Sequence, residues 1–232
     1  MTERATTLIA ESTHLSTLSA TYPLVIQGGM GIGVSNWTLA RAISMKGQLG
    51  VVSGTALDSL FVRRLQDGDV GGHLRRAIAT FPWPDVAEDV LRRFFLPDGR
   101  HGRPYKALPM YRQTVTRARD AITVLANYVE VYLAKEGHDG VVGINLLTKV
   151  QMPTLASLYG AVLAGVDYVL MGAGIPREIP AALDALAAHG TATLRLDVEG
   201  VAPREAPLLA FDAALHWDGA PPAPAARPKF LP

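Results

Sequence analysis

The sequence predicts an α/β fold built on a parallel β-sheet. Two short apolar segments near the start, residues 23–27 and 48–53, are bounded by glycine and lie about 25 residues apart. The same spacing returns in the segments 139–146 and 166–171. These segments lack the polar alternation of half-exposed strands, which is typical of strands buried on both faces of a parallel sheet. A helix predicted within each pair completes two strand–helix–strand units.

The predicted helices have recognisable ends. Ser35 or Asn36 can cap the first helix, and Gly47 supplies the left-handed residue that stops it. The second predicted helix covers residues 153–164 and is followed by another glycine. A third helix is predicted over residues 179–188, after the fourth strand.

Residues 56–138 separate the second and third strands and are too long for a simple connection. Their sequence predicts a mainly helical insertion, with helices near 58–66, 72–81, 85–95 and 114–136. The loop 96–113 between the last two could be a lid over the active face, or it could serve packing or dimerisation. Trp83, which lies between two prolines, is predicted to anchor the packing of the insertion.

The tail of the chain contains two strand-like segments, 191–198 and 207–211, and then a Pro/Ala-rich linker. Residues 229–232 look like the start of a fifth strand. The chain therefore divides into residues 1–55 (the first βα unit and strand 2), the insertion 56–138, βα units three and four at 139–190, and the tail 191–232. A closed (β/α)₈ TIM barrel needs eight units in roughly 250 residues. The prediction is a barrel of this type with only the first four or so units present.

Composition excludes several functional classes. Lysine and arginine number 22 against 21 acids, so a net charge of +1 argues against binding to nucleic acid through bulk charge. The absence of cysteine excludes disulfides, thiolate nucleophiles and iron–sulfur clusters. No apolar segment reaches the roughly 20 residues of a membrane span, and the N-terminus does not look like a signal peptide. We expect a cytoplasmic protein with no membrane partner.

A glycine-rich turn, QGGMGIG at residues 27–33, joins the first strand to the first helix. It is not a dinucleotide fingerprint, because Asn36 occupies the position of the third glycine and no acid ends the second strand. No Walker lysine follows it. The turn either lets a flat ring lie against bare backbone or is a tight turn and nothing more, and its spacing does not decide between the two.

Four motifs occur in order along the chain: QGGMGIGVS at 27–35, GVVSGTA at 50–56, GINL at 143–146 and GVDYVLMGAGIP at 165–176. Together they resemble the nitronate monooxygenase family, formerly called 2-nitropropane dioxygenases. The insertion, with ANYVEV at 126–131 and LAKEGH at 133–138, is similar to a larger bacterial branch of that family. The resemblance covers nearly the whole chain.

This resemblance implies a TIM barrel that binds FMN at the carboxyl ends of its strands. It implies that the backbone of Gly28, Gly29 and Met30 lies against the flavin and that Asn145 forms hydrogen bonds with it. Asparagine offers both a donor and an acceptor to the edge of such a ring. A polar cap at the strand end is the alternative role for Asn145.

Three further residues are weaker candidates for cofactor binding. Ser53 and Gly54 end the second strand on the same face, and Lys149 follows the third strand. The family's base is a histidine in an Ala-Gly-Gly-His motif after the fifth strand, and this motif does not occur here. We expect that histidine to lie beyond the end of the chain, so none of the six histidines is assigned a catalytic role.

The resemblance implies an FMN-dependent oxidoreductase that oxidises small anionic nitronates with oxygen. A related flavin-dependent enoyl reductase is the alternative. An inactive or partner-dependent half-barrel is the alternative from a different class, and it predicts self-association or a complementing C-terminal half as partner.

Overall fold

The computed structural model describes residues 22–112, 114–174, 176–202 and 204–232. The helices in these ranges are α1 Trp37–Ser44, α2 Leu57–Gln66, α3 His73–Ile78, α4 Pro84–Phe94, α5 Arg117–Lys135, α6 Thr154–Leu163, α7 Ile179–Ala187 and a short 3₁₀ turn at Ala214–His216. The strands are β1 Gly50–Ser53, β2 Val142–Leu147, β3 Tyr168–Gly172, β4 Thr191–Arg195, β5 Leu208–Asp212 and β6 Lys229–Leu231. No helix in the described ranges is long and apolar enough to cross a bilayer.

Four strands form one parallel sheet in the order β1-β2-β3-β6. Ser53 of β1 lies opposite Asn145 of β2, and Tyr168 of β3 lies opposite Lys229 of β6. This sheet confirms the predicted α/β class, and the strand expected at the end of the chain does pair beside β3. The four strands make an open sheet, so closure into a barrel remains a prediction.

The strand predicted at residues 23–27 is reduced to one parallel bridge between Ile26 and Leu49. The backbone N–H of Gln27 donates to Leu49 O, and that of Leu49 donates to Val25 O, both at 3.0 Å. Within the described residues this segment pairs on one side only. The side chains of Val25 and Ile26 stay 59% and 50% exposed, so little burial stabilises a longer strand here.

The sheet separates two apolar clusters because side chains alternate between its faces. One face packs into the main core beneath the helices through Val52, Val142, Ile144, Leu146, Val169 and Met171. The opposite face carries a smaller cluster of Leu49, Val51 and Tyr168, with Val141, Leu170 and Leu231 partly buried against it. We call this second surface the inner face.

Helix α5 is the centre of the helical layer and is buried along most of its length. It crosses α6 at Gly160, where an added Cβ would collide with the carbonyl oxygen of Val124. The buried carboxylate of Glu130 accepts a hydrogen bond from Trp37 N and pairs with Arg64, each at 2.8 Å. Burial raises the pKa of Glu130, and the charge of Arg64 opposes the shift. The Glu130 side chain therefore joins α5 to both α1 and α2.

Side-chain caps begin helices α1 and α5. The side chain of Asn36 caps α1 by accepting from Leu39 N at 3.1 Å, and Gly47 follows with a φ of +71°, as predicted. Helix α5 begins at Arg117, three residues later than the predicted start at 114. The reason is that Thr116 is the N-cap and accepts the backbone N–H three residues further on at 3.2 Å.

The loop from residue 96 to 112 runs along the outside of the helices. The side-chain amide of Gln66 donates to Lys106 O at 3.0 Å and accepts from Lys106 N at 2.8 Å. Further along, Arg119 Nε donates to Pro109 O at 2.9 Å. These contacts attach the loop to α2 and to the start of α5, which favours the packing role over a lid.

The tail forms its own antiparallel pair, β4 and β5, in which Ala192 lies opposite Phe211. The strand predicted at residues 191–198 ends at Arg195. Beyond it, Asp197 N donates to the side chain of Gln151 at 2.6 Å, so the chain leaves the strand direction to reach the loop after β2.

An aromatic cluster joins the insertion to this tail. Trp83 is 6% exposed and stacks on His216, and His216 stacks on Phe211, with 5.0 Å between ring centroids in both pairs. Nearby, Trp217 Nε1 donates to the hydroxyl of Tyr159 at 2.9 Å. The packing role predicted for Trp83 is confirmed, and its ring partners include His216 and Trp217 from the far end of the chain as well as Phe81 of the insertion.

Candidate functional site

The glycine-rich turn lies at the carboxyl end of β1. Gln27 holds its start, because the side-chain oxygen of Gln27 accepts from Val51 N at 3.0 Å. Gly29 has a φ of +64°, and an added Cβ would collide with Val51 Cγ1 and lie 2.9 Å from Asn145 Cβ. A side chain at position 29 is excluded both by backbone conformation and by space. The backbone of Gly29 therefore packs directly against the inner face of the sheet, and the backbone of Gly28 beside it is exposed.

Asn145 joins this turn to β2. Its Nδ2 donates to Gly28 O at 2.6 Å and lies 3.3 Å from Met30 Sδ. Its Oδ1 is buried and has no hydrogen-bond partner among the residues that the structure describes. Such an orphaned acceptor is costly inside a protein and marks a position where a donor is missing. The structure thus brings together Gly28, Gly29, Met30 and Asn145, which the sequence placed in two separate motifs.

Ser53 and Gly54 stabilise the backbone around this site and are themselves buried. Ser53 is buried, and its backbone N–H donates to Ser35 O at 2.8 Å. Gly54 N donates to Asn145 O at 2.8 Å, and a Cβ at Gly54 would collide with Leu146. Gly54 therefore joins the ends of β1 and β2 beside Asn145, and Ser53 joins β1 to the segment before α1.

A cavity of about 440 Å³ lies between the loops that follow β2 and β3 and the end of β4. Lys149 is exposed at its rim, and Thr148 Oγ1 donates to Ala173 O at 2.7 Å. A Cβ at Gly174 would collide with that same threonine, so the close contact requires glycine. Of these residues, the sequence predicts only Lys149 as a candidate for cofactor binding. The Gly-Ala-Gly stretch after β3 was the signal for a second tight backbone approach.

The described histidines lie away from the turn. His189 and His216 are buried in the aromatic cluster, where His189 shares a hydrogen bond with Tyr159. His138 precedes β2, with Nε2 2.7 Å from Ala134 O. His14 lies outside the described residues. The geometry gives no described histidine a position beside Asn145.

A second acid of α5 with a raised pKa is Asp120, on the first turn of the helix. Burial raises the pKa of Asp120 to about 6, opposed by a hydrogen bond from Tyr111 at 3.4 Å and by the charge of Arg119. It faces a small gap lined by Met152 and Phe211, on the helical side of the sheet. Asp120 therefore belongs to the packing layer, and no sequence motif pointed to it.

Comparison with protein-family models, with curated proteins and with solved structures returns no match for this chain.

Proposed function

We propose that this chain is an FMN-dependent oxidoreductase of the nitronate monooxygenase type, with the described sheet as part of a (β/α)₈ barrel. The observation that carries the proposal is the meeting of the bare turn with the unpartnered Asn145 Oδ1. The strand order also fits, since sequential parallel strands are neighbours in such a barrel.

The residues present suit a flavin. An isoalloxazine ring is flat and needs a surface without side chains, and the exposed backbone of Gly28 supplies one. The edge of the ring carries an N–H that an amide oxygen can accept, and Asn145 Oδ1 lacks such a donor. Met30 Sδ contacts the same amide, so its side chain would move when a ring binds.

FMN would supply the two-electron redox chemistry when bound. The chain's own residues would position it: the turn sets the plane of the ring, Asn145 fixes its edge, and Gln27 holds the turn against β1. The cavity that Lys149 and Arg195 line together with Glu178 and Asp197 offers space for a small substrate such as a nitronate. We assign no described residue to the proton transfer.

The first test is binding of FMN, measured through flavin fluorescence and the visible absorption spectrum. We expect the chain to perturb both signals of FMN. Asn145→Leu should weaken FMN binding by about tenfold, because one buried hydrogen bond is lost. Gly29→Ala should abolish binding, whereas Gly47→Ala should not. Gly47 has a similar φ of +71°, but an added Cβ at this position meets nothing within 4 Å.

An unperturbed flavin spectrum would contradict the proposal, as would equal binding by the Asn145→Leu variant. For a flavin-loaded protein, oxygen uptake with a nitronate supports the monooxygenase. Oxidation of NAD(P)H dependent on an enoyl thioester would instead support the reductase alternative.

A further inference from the structure

Charge is unevenly distributed along this nearly neutral chain. The loop 96–113 carries four cations and one acid, a net charge of +3. The other 214 residues carry 18 cations and 20 acids, a net charge of −2. The small net charge of the whole molecule therefore conceals one strongly basic segment.

The fold enlarges this segment into a surface. The loop packs along α2 and beside the end of α4, which brings Arg63 and Arg93 next to the loop cations. We call the resulting set the basic face. It consists of Arg63, Arg93, Arg100, Arg103 and Lys106.

Two aromatic rings organise the basic face. The guanidinium carbons of Arg63 and Arg100 lie 5.2 and 4.2 Å from the centroid of the Tyr105 ring. Arg93 and Lys106 lie 5.1 and 5.4 Å from the Phe94 ring in the same way. Cation–π contacts restrain these long side chains without neutralising them. Less conformational entropy is then lost when a partner binds.

Only part of this charge is compensated within the molecule. Asp67 pairs with Arg100 at 3.0 Å, and Asp89 pairs with Arg93 at 3.0 Å. Arg63, Arg103 and Lys106 form no ion pair with an acid in the part of the chain that the structure describes. All three are exposed.

Stabilisation of helix ends explains only some of these cations. Arg63 and Arg93 lie in the last turns of α2 and α4, where a positive charge favours the helix dipole. Arg103 and Lys106 lie in the loop and have no such role. A surface that keeps uncompensated cations in restrained positions is suited to an external anion.

We propose that the basic face docks an acidic protein surface through its carboxylates. The guanidinium groups of Arg63 and Arg103 match carboxylates in geometry as well as charge. The net charge of −2 outside the loop disfavours an extended polyanion such as nucleic acid or an anionic membrane, which would also meet acidic surface. A protein partner of ordinary size covers only about 800 Å² and can stay on the basic face.

The test measures binding of the full chain to a fluorescent polyglutamate peptide of about 16 residues, at low salt where screening is weak. The triple variant Arg63→Glu, Arg103→Glu, Lys106→Glu should weaken binding by at least about tenfold. The matched control reverses Lys46, Arg177 and Arg204, which are also exposed and carry the same charge. Its affinity should stay within about twofold of the native chain's.

Three outcomes would overturn the proposal. They are no binding by the native chain, equal losses in the two triple variants, and tighter binding to duplex DNA or phosphatidylserine vesicles than to polyglutamate. Replacing the same three residues of the basic face by glutamine should give an intermediate loss. Unchanged circular dichroism in this variant would exclude misfolding as the cause.

Discussion

Asn145 shows how a single side chain can join two distant motifs. It lies 117 positions from Gly28 in the sequence, yet its Nδ2 and the carbonyl oxygen of Gly28 are 2.6 Å apart. Its remaining acceptor stays buried and unpaired. A purely structural strand-end cap would use both ends of the amide, because an orphaned buried acceptor costs free energy. Asn127 of α5 shows the same asymmetry, and what distinguishes Asn145 is its contact with the glycine-rich turn.

His216 gives a prediction about pH at the residue scale. Burial lowers the pKa of His216 to about 4, with a smaller contribution from the charge of Arg117, and Asp212 opposes the shift. The folded state therefore favours the neutral imidazole. The stability from this group is complete above the unfolded pKa of about 6.5 and is lost as the pH falls toward 4.

We expect His216→Phe to keep the stack between Trp83 and Phe211 while removing this acid sensitivity. Urea denaturation at pH 7 and pH 5 measures the effect as the change in unfolding free energy between the two conditions. That change should shrink in the variant. His101→Gln, at an exposed histidine, serves as the control and should leave the change as it is. An unaltered pH response in His216→Phe would contradict the prediction.

Individual residues were predictable where their partners are near in sequence. The cap at Asn36 and the stop at Gly47 follow from local chemistry. The predicted strand 139–146 placed Asn145 near its end, and the structure has Asn145 two residues before Leu147, the last residue of β2. The partners of Trp83 and Tyr159 were not predictable, because they lie in the tail and are fixed by tertiary packing.

At the scale of elements, the crossing of α5 and α6 depends on the absence of one side chain. Alanine at position 160 is intrinsically better in a helix than glycine by about 1 kcal/mol. The added Cβ would, however, collide with Val124 O, and forcing a methyl group into a tight interface costs typically 1–3 kcal/mol. We expect the steric cost to prevail and Gly160→Ala to lower the unfolding free energy.

The matched control for this prediction is Gly165→Ala, just beyond the same helix. An added Cβ at Gly165 meets nothing within 4 Å, although its φ of +73° strains any side chain. The melting temperatures of the two variants compare the cost of the steric collision at position 160 with the cost of backbone strain at position 165. A rise in melting temperature for Gly160→Ala would show that helix propensity outweighs the crossing.

Elements inside the sheet were predicted best, and those at its edges least well. Strands β2 and β3 are paired on both sides, so their apolar runs are sufficient to specify them. The segment 23–27 has a similar run but pairs on one side, and only a bridge forms. The packing of the loop 96–112 along α2 could not be predicted either, since it depends on contacts of Gln66 with residues 40 positions away.

At the scale of the whole molecule, the two faces of the described sheet are covered to different extents. Helices bury one face of the sheet, whereas the inner face has only a small cluster. Apolar side chains are exposed along the adjoining edge and turn, namely Leu24, Val25, Ile26, Met30, Ile32 and Val34. An exposed apolar surface beside a strand edge favours association with another chain.

We therefore expect the 232-residue chain to self-associate, with a mass that rises with concentration in sedimentation equilibrium. Ile26→Lys should shift the distribution toward monomer, because a charge at this edge must be desolvated on pairing. Val70→Lys introduces the same charge at an 86% exposed residue in the loop before α3 and should have no effect. A strictly monomeric native chain would refute this expectation. Equal dissociation by both variants would instead indicate that added charge, and not the edge, controls association.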